Sequence, residues 1–88
     1  MDRTDEQLAR ASIQRDPEAF GILIERLRCP LIAYITGLRA TRDDAEELAQ
    51  ETFLAAWQKL PGLRDPARVK GWIYRIAHND RQPDRHDV

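Results

Sequence analysis

The chain has 88 residues, 42% of them hydrophobic and 33% charged, with a formal net charge of −1. That is enough for one small core, too apolar for a disordered chain and too near neutral to coat duplex DNA by bulk charge. No apolar run approaches the ~20 residues of a membrane span, and no signal peptide is expected before Asp2. The single cysteine, Cys29, excludes an internal disulfide, so a reducing cytoplasm is the expected compartment.

In chain order the pattern is helical throughout, an all-α fold of four helices. Thr4 with Gln7 forms a capping-box pattern that starts a short first helix over about residues 5–15. Asp16-Pro17-Glu18 restarts the chain, with an N-cap, a proline at the first helical position and an acid in the first turn. Phe20, Leu23, Ile24, Leu27, Leu31, Tyr34, Ile35 and Leu38 then recur at helical spacing as one wide apolar stripe. Pro30 lies within that stripe and predicts a kink in the second helix. Gly37 and Thr41 mark the end of this helix and the cap of the next. The third helix runs from about Arg42 to Leu60 and stops at Pro61-Gly62. Asp65-Pro66 caps the fourth, whose inward positions are Val69, Trp72, Ile73, Ile76 and Ala77; Pro83 should stop it. The expected domain is 1–82, with 83–88 a frayed tail.

Charge is uneven. Residues 1–52 carry seven Lys/Arg and eleven Asp/Glu, a net of −4; residues 53–88 carry seven and four, a net of +3. Such halves point to two unlike partners, or to ordinary scatter of surface charge. On a helical wheel the third helix turns Ala45, Leu48, Ala49, Thr52, Phe53, Ala56, Trp57 and Leu60 inward. Asp44, Glu47, Gln50, Glu51, Leu54 and Gln58 face outward. A leucine ringed by carboxylates and amides has the form of a contact site for a basic protein. The alternative is one exposed leucine beside acids that serve the helix N-terminus.

The fourth helix leaves Arg68, Lys70, Gly71, Tyr74, Arg75, His78 and Asn79 outward, with Lys59 and Arg64 just upstream. Cations suit phosphate, a ring suits stacking, and an amide suits a base edge, so this face fits a nucleic acid; the alternative is a solvated basic face. Trp57 and Trp72 fall on core arcs and read as packing. No Ser/His/Asp set, phosphate-binding glycine loop or walled carboxylate pair is present, so no catalysis is expected. Cys29, His78 and His86 are too few and scattered for a metal, and no cofactor is expected.

Three stretches together, Asp16–Phe20, Asp44–Leu54 with Trp57, and Gly71–Asn79, resemble region 2 of bacterial sigma factors. The branch is the extracytoplasmic-function (ECF) type of the sigma-70 family. The resemblance implies a compact helical domain that docks on the clamp helices of the RNA polymerase beta-prime subunit through the third helix. Glu47, Gln50, Glu51, Leu54 and Gln58 would carry that contact; Leu48, also in the matching stretch, is kept as packing. It further implies that the following loop and the fourth helix hold the promoter minus-ten element as a single non-template strand, with one base flipped into a pocket. Lys59, Arg64, Arg68, Lys70, Tyr74, Arg75, His78 and Asn79 occupy those positions. An anti-sigma factor is a further implied partner, and an unused Leu54 face allows a weak homodimer.

Two departures bear on this. Family members usually continue into region 4, which is expected to be absent here, so the chain reads as a fragment or a truncated product. The fourth helix meets Asp80-Arg81-Gln82-Pro83, where the family helix runs on. The rival reading is therefore a non-catalytic interaction module that binds polymerase or an anti-sigma factor without reading a promoter.

Overall fold

The computed structural model describes residues 3–38 and 41–80. Its elements are α1 (Asp5–Ile13), α2 (Pro17–Thr36), α3 (Arg42–Lys59) and α4 (Val69–Asp80), with 3₁₀ turns at Leu60–Gly62 and Pro66–Arg68. The all-α, four-helix expectation holds among the described residues. The expected stop at Pro83 and the tail lie outside them.

The helix starts follow the predicted chemistry. The Thr4 hydroxyl accepts from the Gln7 amide at 3.1 Å while the Gln7 side chain accepts from the Thr4 amide at 2.8 Å, a complete capping box. Asp16 accepts from Glu18 and Ala19, and Thr41 accepts from Asp44. Asp65 accepts from the Ala67 amide, but the turn it caps is 3₁₀, and the α-helix begins only at Val69. α2 passes through Pro30 without a break. Pro30 and Arg26, whose carbonyl loses its intrahelical donor, are both exposed, so water can satisfy that carbonyl.

α1 ends two residues earlier than its pattern predicts, because the chain turns back on itself. The Arg15 amide donates to the Ser12 carbonyl at 2.8 Å and the Asp16 amide to the Ala11 carbonyl at 3.1 Å, a Schellman closure. It requires a left-handed residue, and Arg15 supplies it at φ 68°. For a side chain with a Cβ this costs about 1 kcal/mol.

The core draws on all four helices. Leu8, Leu23, Leu31, Ile35, Leu60 and Ile73 have no solvent exposure. Ala45, Ala49 and Ala56 on the buried side of α3 let that helix approach its neighbours closely. The two buried hydroxyls, Ser12 and Thr52, donate to the carbonyls of Leu8 and Leu48 at 2.7 Å. Among the described residues no buried side-chain polar atom lacks a partner.

Candidate functional site

The outward arc of α3 lies as the wheel places it. Asp44, Glu47, Gln50, Glu51 and Gln58 are exposed, and Leu54 is 66% exposed, the one large hydrophobic so placed among the described residues. Leu48 is partly buried against the core, in keeping with a packing role.

Beside this arc runs a groove of about 740 Å³ between α2 and α3. Phe20, Ala49 and Phe53 line its apolar side with Ile24, Leu54 and Trp57, and Asp43, Glu46, Glu47 and Gln50 line the α3 rim. Arg28 stands on the α2 side, and Glu46 is paired with Arg42 at 3.2 Å. The rim is thus acidic over an apolar floor, a form that admits an amphipathic, basic segment. Of the predicted contact residues, Glu47, Gln50 and Leu54 border the groove, while Glu51 and Gln58 are exposed outside its lining. Sequence reasoning missed the α2 wall. Its signal was the width of the apolar stripe, which exceeds what the core covers and leaves Ile24 only partly buried.

The basic side divides in two. A second opening of about 550 Å³ is lined by Gly62, Leu63, Arg64, Asp65, Arg68, Gly71, Trp72 and Arg75. Three arginines surround a buried leucine and a half-buried indole. Asp65 is held in place, with one oxygen accepting from the Ala67 amide at 3.1 Å and the other 3.5 Å from Arg68 Nε. A Cβ on Gly71 would meet nothing within 4 Å, so this glycine answers no local packing need and leaves the mouth of the opening clear. Trp57 and Trp72, read as packing, are each half-buried and each line one of the two openings.

Lys70 and Tyr74 turn another way. The Tyr74 ring packs on Tyr34 of α2, and the Lys70 ammonium lies 5.8 Å from the centre of the Tyr74 ring. Burial, and secondarily the neighbouring Tyr34, raise the Tyr74 pKa. Lys59, His78 and Asn79 are exposed and do not line the opening. The predicted nucleic-acid residues therefore converge only in part, at Arg64, Arg68 and Arg75. Among the described residues no group of His, Cys, Asp or Glu could hold a metal ion, and no helix is long and apolar enough to cross a membrane.

The profile of the Sigma-70 region 2 family matches residues 23–81. Over 75 residues the chain is 33% identical to the RNA polymerase sigma factor NccH of Alcaligenes xylosoxydans xylosoxydans, covering 85% of this chain and 40% of that protein. It is 30% identical over 94 residues to the ECF RNA polymerase sigma-E factor of Haemophilus influenzae, covering 97% of this chain and 49% of that one. With the ECF RNA polymerase sigma factor SigG of Mycobacterium tuberculosis it shares 35% identity over 60 residues, 68% of this chain and 16% of the relative. The chain thus spans less than half the length of these relatives. No solved structure matches it.

Proposed function

The chain belongs to the sigma-70 region 2 family, in its ECF branch, and on that premise we propose that it docks on core RNA polymerase and holds a promoter minus-ten element. The observation that carries this reading is the separation of two unlike openings on one small domain. One is an acidic, leucine-bordered groove on α3; the other is an arginine-lined opening beside α4.

The groove takes the polymerase, through the clamp helices of the beta-prime subunit. Leu54 and the Phe20–Phe53 floor supply apolar contact, and Glu47 and Gln50 supply the polar rim. Glu51 and Gln58 extend the exposed polar face beyond the groove. A basic helix laid there gains complementary charge along the rim and buries its apolar side against the floor.

The second opening takes one flipped base of the single-stranded non-template minus-ten element. Trp72 offers a stacking surface, the three guanidiniums offer donors, and the Asp65 carboxylate offers an acceptor for an exocyclic amine. Flipping a base costs a few kcal/mol, which stacking and these bonds offset. Lys59, Lys70, His78 and Asn79 would track the backbone on either side. Because the net charge is −1, the domain alone neutralises few phosphates, and its DNA binding depends on the polymerase holding it in register. The protein makes and breaks no bond in this role, and its place of action is the cytoplasm.

The test is fluorescence anisotropy of a labelled minus-ten non-template oligonucleotide with core polymerase, with and without the chain. A rise in anisotropy that needs both proteins supports the reading. Polymerase binding without oligonucleotide binding leaves an interaction module that does not read a promoter.

A further inference from the structure

Among the described residues Arg15 is the one non-glycine residue with a positive φ, at 68°. A glycine would close this turn without strain, yet the position carries a long cation. Its guanidinium has a specific destination. It lies 4.0 Å from the centre of the Trp57 ring, and its Nη1 donates to the Trp57 carbonyl at 2.9 Å, across 42 positions of sequence. In a continuing helix that carbonyl would accept from the amide four residues on. That residue is Pro61, which has no N–H. Pro61 withholds the helical donor, and Arg15 supplies one from another element.

Trp57 is half-buried, packs 5.1 Å from Phe20 and lines the α2–α3 groove at the end where α3 finishes. Arg15 does not line the groove itself. We propose that Arg15 is a positioning residue for the docking groove, acting through Trp57: it fixes the indole as the groove's end wall and ties the end of α3 to the end of α1. This rests on the reading of the groove as the polymerase dock. The strained turn places the guanidinium, and the ring and carbonyl of Trp57 hold it.

The full chain labelled with 5-fluorotryptophan gives two fluorine signals, from Trp57 and Trp72, assigned with a Trp72→Phe sample. Arg15→Gly sheds the left-handed penalty but also loses the ring contact and the hydrogen bond to the Trp57 carbonyl, so the two effects oppose and the melting temperature should move by no more than several degrees. Its Trp57 signal should move toward the solvent-exposed position with a larger H₂O/D₂O shift, while the Trp72 signal stays put. Affinity for core RNA polymerase should fall by up to about fivefold, because binding must then supply the placing of the indole that the cation–π contact supplies in the wild type. Arg15→Lys keeps the charge without the planar fork and should fall between; it also serves if Arg15→Gly fails to fold. An unmoved Trp57 signal in both variants overturns the proposal. So does a moved signal with wild-type polymerase affinity. If the wild-type chain does not bind polymerase, the docking reading falls, and the fluorine signals alone decide whether Arg15 fixes Trp57.

Discussion

The Tyr74 ring of α4 lies 4.8 Å from the Tyr34 ring of α2, centroid to centroid, with the planes tilted by 37°. The pair ties α4 to the second helix and takes Tyr74 away from the arginine-lined opening. Burial, then the nearby Tyr34, keep the Tyr74 phenol protonated to a higher pH than in the unfolded chain. In that window the native state binds the extra proton, so stability falls as pH rises. Below the ordinary phenol pKa of about 10 the contribution is complete; it is lost as pH climbs through the raised native value. Urea midpoints of wild type and Tyr74→Phe should therefore differ by a constant amount up to about pH 9, and the wild-type midpoint should fall relative to the variant's above it. Parallel profiles at all pH values would contradict this.

Two leucines should respond in opposite ways. Leu31 has no exposure, and Leu31→Ala should cost about 2–5 kcal/mol, visible as a large drop in melting temperature. Leu54 is 66% exposed, and Leu54→Ala should change stability by no more than about 0.5 kcal/mol. The same Leu54→Ala should weaken polymerase binding by about tenfold or more, as expected for an apolar centre inside a polar rim. Calorimetry and a polymerase titration on the same samples separate the two effects.

Much of the fold is legible because its signals are local. Thr4, Asp16 and Thr41 announce their helices by side-chain chemistry, and the 3.6-residue period sorts α3 into a buried arc and an exposed one. What a single wheel cannot show is which neighbour covers an arc. Tyr74 falls on the outward side of α4 by period, yet Tyr34 on a helix 40 positions away covers it. The α2 wall of the groove has the same origin, since Ile24 and Arg28 acquire their role only when α3 lies alongside. The Arg15–Trp57 contact is longer-ranged still: Pro61 marks the Trp57 carbonyl as short of a helical donor, but nothing near it names Arg15 as the partner.

The three arginines of the second opening should matter more than the other exposed cations. With core polymerase present, Arg64→Ala, Arg68→Ala or Arg75→Ala should each weaken binding of the minus-ten oligonucleotide. Each should also reduce the slope of log affinity against log salt by about one where the lost contact is to phosphate. A residue that instead reads the flipped base should lose affinity with little change in that slope. Trp72→Ala should lose the stacking contribution, about 1–3 kcal/mol, at any salt concentration.

The proposed polymerase dock is the acidic face of α3. Its most direct test is a titration of core RNA polymerase against the labelled wild-type chain and against Glu47→Lys/Glu51→Lys. Both glutamates are exposed, so the variant should fold as the wild type does. Wild-type binding reduced on the order of a hundredfold or more in the variant is the predicted result, since reversed charges then face a basic partner. Equal binding by the two chains, or no binding by a wild-type chain shown to be folded, would contradict the account.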